Sequence, residues 1–241
     1  MRVGLISDIH GNCAALDAVL AELERDDVDT IVCLGDVAVG PQPAESLARV
    51  RELGCPVVLG NWDAAFVGAP LPPATSETAL VVNEIHTWWG EQLSDDDRAF
   101  LATFERQLEL PLDGTDALVY HGSPRSYDDW IFATTPDDEL TPMFGDERRA
   151  LLVGGHTHVQ LVRPWSHSLL VNPGSVGLPF LSWWPQRVTV APWAEYAVLT
   201  TGEGTVRVEL RRTSFDVEAF LRLSRGSGMP HAEWWADCWA L

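Results

Sequence analysis

The sequence predicts an α/β fold with two packed sheets. Its first third alternates short apolar runs with helical periodicity, further strand-like runs follow a helical middle, and the last strands form a hairpin. No stretch between these elements is long enough to act as a linker, so residues 1–241 are assigned to a single domain. A chain of this length can bury one core of good size.

Residues 3–6 form the first apolar run. Leu16, Val19, Leu20 and Leu23 then recur at helical spacing on one face. Residues 30–34 read as the second strand. Leu47, Val50 and Leu53 mark a second helix, ended by Gly54 with Pro56 just beyond. Residues 56–59 read as a third strand, and this β-α-β-α-β order predicts parallel pairing with right-handed crossovers. Pro70, Pro72 and Pro73 mark a loop. Helices are expected over 76–90 and 95–104, the second with Ser94 as N-cap and Asp97 three residues on. Residues 117–120, 151–153 and 168–171 read as strands. Residues 194–201 and 205–212 read as a hairpin turning at Gly202-Glu203-Gly204, and a helix is expected over 216–223.

Composition narrows the partners. The net charge is −19 and all sixteen basic residues are Arg. Such a surface repels nucleic-acid backbones and anionic membranes, so broad nucleic-acid binding and membrane association are not expected. An anionic substrate is compatible, because divalent ions make a pocket locally positive. No apolar run is long enough to span a bilayer, and the first one ends at Asp8 before a signal-peptide core would form, so the expected location is cytoplasmic. Cys13, Cys33, Cys55 and Cys238 show neither a C-x-x-C pair nor disulfide-scaffold spacing and read as core filler.

The chemistry lies directly after the strands. The first runs into Asp8-Ile9-His10, the second into Gly35-Asp36 and the third into Gly60-Asn61. Two later ones run into His121-Gly122 and Gly154-Gly155-His156-Thr157-His158. In open α/β sheets, sites form beyond the carboxyl ends of strands, so these residues should converge. Each piece alone has a duller account: an exposed turn for Asp8 and His10, a left-handed turn residue for Asn61, a core histidine for His121. Five such endings together point to metal. Imidazole, carboxylate and amide oxygen without thiolate suit Mn, Fe, Co, Ni or Zn rather than a structural cysteine site. Two carboxylates among seven ligands under-neutralise two divalent ions. The residual charge would attract a phosphate and lower the pKa of a bridging water.

These motifs, in order and spacing, resemble the calcineurin-like metallophosphoesterases. The strings Ser7-Asp8-Ile9-His10-Gly11-Asn12, His121-Gly122-Ser123-Pro124-Arg125 and Asn172-Pro173-Gly174-Ser175-Val176-Gly177 resemble the small prokaryotic phosphodiesterase branch. The resemblance implies a four-layer α/β/β/α sandwich with two mixed sheets and the metal site at the strand ends. It implies that Asp8, His10, Asp36 and His158 bind a first ion, and Asp36, Asn61, His121 and His156 a second, with Asp36 bridging. Manganese is favoured. A hydroxide between the ions would attack phosphorus, which makes Asp36, Asn61 and His121 the catalytic candidates. Asn12 and Arg125, beside the ligands, are the candidate substrate contacts.

The chain departs from that family at two places. Much of the family reads G-N-H-D/E, the His helping the leaving group depart, whereas this chain has Gly60-Asn61-Trp62-Asp63. Trp62 cannot donate a catalytic proton, so diesters with good leaving groups are expected over unactivated monoesters, a nucleotide being one candidate. Residues 178–185, with Phe180, Trp183 and Trp184, are aromatic where relatives are short and polar. That stretch reads either as a lid over a base or aryl group or as a patch buried against the core or a second subunit. The competing function is a catalytically inactive scaffold of the same fold, which the complete ligand set disfavours. His86, His167 and His231 belong to no motif and read as structural.

Overall fold

The computed structural model describes residues 1–71, 73–183, 186–202 and 204–240. In chain order, β1 (Arg2–Ile6) leads to α1 (Cys13–Arg25), where the Asn12 side chain accepts the Ala15 N–H and Leu16, Val19 and Leu23 are buried. After β2 (Thr30–Cys33), α2 (Pro43–Leu53) has proline in its first turn and ends at Gly54 in the left-handed region, φ 59°. Next come α3 (Asn61–Phe66), α4 (Glu77–Glu91), capped by Ser76, and α5 (Asp95–Leu101), where Ser94 and Asp97 form the expected capping box. They are followed by β3 (Gln107–Leu112), β4 (Thr115–Tyr120), α6 (Asp137–Phe144), β5 (Leu151–Val153), β6 (Leu161–Trp165) and β7 (Ser168–Asn172). The chain finishes with β8 (Phe180–Ser182), β9 (Thr189–Val190), the hairpin β10 (Ala194–Gly202) and β11 (Thr205–Thr213), then α7 (Val217–Gly226) and α8 (Ala232–Ala236).

One sheet runs β11-β10-β1-β2 and the other β3-β4-β5-β7-β6. Both are mixed: β1 pairs parallel with β2 but antiparallel with β10, and β5 pairs parallel with β4 and β7, whose other neighbours are antiparallel. The parallel expectation therefore holds for β1 and β2 and fails for the sheet as a whole. The expected third strand, 56–59, contracts to single parallel bridges, Cys33 with Val57 and Val58 with Glu105. Pro56 has no N–H to extend the ladder, and Gly60 turns the chain into α3. The segment still follows β2 closely enough for Val58 N–H to reach the Cys33 carbonyl at 2.9 Å.

Alternation along the strands sorts the core into layers. Val3, Leu5, Val32, Leu34, Ala197 and Leu199 of the first sheet pack against Ala117, Val119, Leu151, Val153 and Val171 of the second. Ile6, Cys33, Tyr196 and Val198 face the other way, into a cluster with residues of α1, α2, α4, α7 and α8. Leu118, Tyr120, Leu152 and Leu170 pack against Leu140 and Phe144 of α6. The order is helix, sheet, sheet, helix, as the resemblance implied.

The elements not foreseen have two causes, an internal proline or a short span. β3 and β6 each contain a proline, Pro111 and Pro164, and both lie at sheet edges, where a missing N–H costs least. α6 contains Pro142, and α3, α8, β8 and β9 are too short to show a period. The helix expected to reach 104 ends at Leu101, and the one expected over 216–223 extends to Gly226. Pro72, Trp184, Pro185 and Glu203, which entered expectations about loops, an aromatic lid and the hairpin turn, lie outside the described residues. All four cysteines are free, and burial pushes the Cys33 thiol well above its usual range.

Candidate metal centre

Five chain segments deliver the predicted ligands to one edge of the sandwich. β1 delivers Asp8 and His10, β2 Asp36, the start of α3 Asn61, β4 His121, and β5 His156 and His158. The loops are stitched together by main-chain hydrogen bonds, from Asp8 N–H to Gly35 O (2.9 Å), His10 N–H to Asp36 O (3.0 Å) and Gly155 N–H to His121 O (2.8 Å). Asn172 adds bonds from its amide to Gly155 O (2.7 Å) and Thr157 Oγ1 (3.0 Å), and Ser175 Oγ donates to Asp8 O (2.7 Å). The Asn172–Gly177 string is thus a clamp under the ligand loops.

The local backbone is unusual. Asp8, His10, Asp36, His156 and His158 all have φ between 48° and 68°, the left-handed region that non-glycine residues rarely occupy. Strain of this kind persists where the surrounding structure over-determines it, and here it aims side chains into one space. Small residues make room: a Cβ on Gly60 would lie 2.1 Å from Asp36 Oδ1, and one on Gly155 2.1 Å from Ser7 Oγ.

Asp8 is fully buried, and Asp36, His10, His121, His156 and His158 are nearly so. Asp8 Oδ1 lies 3.2 Å from His158 Nε2 and 3.9 Å from both His10 Nε2 and His121 Nε2. Asp36 Oδ2 lies 3.5 Å from His121 Nε2 and 3.8 Å from His10 Nε2. His10 and His158 approach to 3.1 Å between their Nε2 atoms, and Asn61 Oδ1 is 3.1 Å from His121 Nε2. The His156 ring stands edge-on to His121 with centroids 5.1 Å apart. Among the described residues, Asp8, His10 and His158 form one group with metal-ligand spacing, and Asp8, Asp36 and His121 another.

The remaining contacts orient these groups. His121 Nδ1 is 2.7 Å from Leu34 O and His158 Nδ1 2.7 Å from Leu178 O, so each Nδ1–H donates to a carbonyl and Nε2 is left facing inward. Asp8 Oδ2 accepts from Ser7 Oγ (2.5 Å) and His156 N–H (3.0 Å), and Asp36 Oδ1 accepts from Trp62 N–H (3.0 Å). Their other oxygens, Asp8 Oδ1 and Asp36 Oδ2, are buried without a partner, as is His156 Nε2. Orphaned donor atoms converging in one buried space are what a cation would satisfy, so the residues fit divalent metal.

Electrostatics agree. Burial would raise the Asp8 carboxyl, but His158, His10 and His121 together hold it well below its usual range. Asp36 is also lowered, burial being outweighed by His121 and His10. For His121 burial opposes protonation, yet Asp36 and Asp8 push its pKa up to about 9. Burial, reinforced by His121, pushes His156 down to about 3, so it is neutral and ready to ligate.

A pH dependence follows for the metal-free protein. His121 is raised from 6.5 to about 9, so the stability it contributes is complete below 6.5 and is lost as pH rises through 9. A metal bound through His121 would displace the same proton, so its affinity should rise over that window. The expected result is a metal-free melting temperature that falls from pH 6.5 to 9 while manganese affinity climbs, with about one proton released per binding event at pH 7.5. Calorimetry in two buffers of different ionisation enthalpy measures that proton, and an enthalpy independent of buffer would contradict the assignment.

The two expected substrate contacts are otherwise engaged. Asn12 is fully buried; its Oδ1 caps α1 and its Nδ2 donates to Gly177 O at 3.2 Å. Arg125 is exposed, but its guanidinium makes two bonds to Asp129, at 2.6 and 3.0 Å. Sequence reasoning missed Asp63, which takes the N–H groups of Val37 (2.9 Å) and Ala38 (2.8 Å) and so fixes the turn after Asp36. Burial and the nearby Asp36 charge push its carboxyl up to about 7. The Gly60–Asp63 motif was the available signal. Trp62 packs beside His86, centroids 5.4 Å apart, and His86 Nε2 lies 3.1 Å from Trp62 O, which gives that histidine a structural place. Phe180 stacks on the His158 ring at 4.4 Å.

Solved structures share this fold. A metallophosphoesterase from Sphaerobacter thermophilus superposes with a TM-score of 0.74 at 28% identity, covering 96% of each chain. A hypothetical protein from Pyrococcus horikoshii superposes with a TM-score of 0.76 at 19% identity over 95% of this chain and 94% of that one, a likeness of fold. An uncharacterised protein of Methanocaldococcus jannaschii is 29% identical over 196 residues, 73% of this chain and 76% of the relative. Among the described residues, no helix is long and apolar enough to cross a membrane. The family model for the calcineurin-like phosphoesterase superfamily domain matches residues 1–202, and the chain belongs to that superfamily of metal-dependent phosphoesterases.

Proposed function

We propose that the protein is a phosphodiesterase acting on small esters with good leaving groups, using two divalent ions held by Asp8, His10, Asp36, Asn61, His121, His156 and His158. The observation that carries this reading is the clustering of Asp8 and Asp36, each with one buried and unpartnered oxygen, with the imidazoles of His10, His121 and His158. In this reading Asp8, His10, Asp36 and His158 serve one ion, and Asp36, Asn61, His121 and His156 the other. The position of Asp36 Oδ2, 3.8 Å from His10 and 3.5 Å from His121, supports a bridging role. Bound there, two divalent ions would supply a bridging hydroxide as nucleophile and neutralise charge on the phosphoryl oxygens. Nitrogen and oxygen donors suit Mn, Fe, Co, Ni or Zn, and the family resemblance favours manganese among them.

The protein's own groups prepare that space. The Leu34 and Leu178 carbonyls fix the two imidazole tautomers, and Trp62 N–H and Ser7 Oγ hold the carboxylates. The indole N–H of Trp62 is far too weak an acid to protonate a departing alkoxide, so a leaving group that departs as a stable anion is favoured. This is the ground for preferring activated diesters.

The test uses metal-free protein reloaded with Mn, Co, Ni, Zn or Mg and assayed on bis(p-nitrophenyl) phosphate and p-nitrophenyl phosphate. Turnover should require metal, be greatest with manganese and favour the diester. Two ions bound without turnover of either ester for any metal would overturn the enzyme reading in favour of a binding scaffold.

A further inference from the structure

Two loops beside the centre carry a run of aromatic side chains that none of the roles above uses. The Trp130 indole meets the His156 ring edge-on, centroids 5.5 Å apart at 79°. Phe132 lies 5.6 Å further on, and Trp183, just after β8, stacks on Phe132 at 4.9 Å and 13°. Trp130 is 41% exposed, and Phe132 and Trp183 are half-buried. Three rings therefore form a surface that begins at a proposed ligand and runs outward.

The first of these loops is held in place. Arg163 of β6 donates to the carbonyls of Phe132 (3.4 Å), Ala133 (3.2 Å) and Thr135 (2.5 Å) and pairs with Asp137, while Phe132 N–H donates to Thr135 Oγ1 (2.9 Å). Rings fixed before a ligand arrives lose little entropy on binding it. Charge points the same way. The chain has a net charge of −19, and Arg125, on the same loop as Trp130, is tied to Asp129. Beyond the ions, the three rings offer a grip that does not depend on charge, and ring stacking works on an anionic ester as well as on a neutral one.

We propose that Trp130, Phe132 and Trp183 form a stacking platform for a planar aromatic ring, a nucleobase or an aryl group, carried by the ester whose phosphate lies at the metal centre. This inference rests on the phosphoesterase reading and specifies its substrate class. The contact between Trp130 and His156 is the reason for assigning the platform to substrate rather than to a second copy of the chain.

Calorimetry on the manganese-loaded protein tests it with two ligand pairs, phenyl phosphate against methyl phosphate and adenosine 5′-monophosphate against ribose 5-phosphate. The ring-bearing member should bind about tenfold more tightly. Trp130→Ala and, separately, Trp183→Leu should bring that ratio close to one with manganese still bound. A preference confined to the adenosine pair identifies a nucleobase platform, and one in both pairs identifies a general aromatic one. Equal affinities within both pairs for the unmodified protein would overturn the proposal. So would variants that keep the tenfold ratio, or a dimer that Trp130→Ala dissociates while the ratio stays unchanged. Failure of the phosphoesterase reading has a different signature: ester turnover is absent, yet the binding ratio can still be read.

Discussion

Asp36→Asn should lower metal-dependent turnover at least about a thousandfold, with one ion fewer bound. The side chain is nearly isosteric, so packing is preserved and the effect is one of charge. Asp36 Oδ2 faces both His10 and His121 without a hydrogen-bond partner, while Oδ1 is occupied by Trp62 N–H. Two carboxylates would balance four positive charges in this space, and the substitution removes half of that balance. A thousandfold loss corresponds to about 4 kcal/mol of transition-state stabilisation. A second readout separates this from misfolding: without the Asp36 charge, His121 should titrate well below the value of about 9 it has beside that carboxylate. Imidazole resonances followed by NMR in metal-free protein report the change. Turnover within tenfold of the unmodified protein would contradict a bridging role.

Gly60→Ala should lose about 2–4 kcal/mol of stability and weaken metal binding by about 10- to 100-fold. Backbone strain is not the reason. Gly60 sits at φ −79° and ψ 166°, where alanine is comfortable, and the substitution alone would stiffen the unfolded chain to slight advantage. The obstacle is steric: the added Cβ would lie 2.1 Å from Asp36 Oδ1 and 2.3 Å from Asp36 N. Either Asp36 or the start of α3 must move, and each carries a proposed ligand. Gly226→Ala is the control, since a Cβ there meets nothing within 4 Å. Thermal melts with and without manganese distinguish the two variants; at about 2–4 °C per kcal/mol for a chain of this size, the expected shift is well resolved. Equal melting temperatures for the two variants would show that the close approach of Gly60 to Asp36 is relieved at no cost.

The ligand bed was legible because each member follows an apolar run and strands end at one edge of a sheet. What holds the bed together was less so. Asp8, His10, Asp36, His156 and His158 all adopt left-handed backbone, which Asp and His tolerate better than most residues but do not dictate. The tautomer-fixing carbonyls of Leu34 and Leu178 belong to residues that read as plain hydrophobes. β3 and β6 were hidden by Pro111 and Pro164, whose tolerance depends on an edge position visible only once the sheet is assembled. Asn12 and Arg125 have structural partners that their sequence positions did not disclose. Adjacency to ligands suggested substrate contact, whereas one caps α1 and the other pairs with Asp129. Trp130 lies far in sequence from the 178–185 segment on which the aromatic-lid expectation rested, and only the fold links it, through Phe132, to Trp183.

The proposed chemistry depends above all on two cations occupying one buried space. Anomalous diffraction at the manganese edge from manganese-soaked crystals measures this directly. Two peaks are predicted about 3.5–4 Å apart, one among Asp8, His10 and His158, the other among Asn61, His121 and His156, with Asp36 touching both. A single peak, or none, in that space would contradict the two-metal centre.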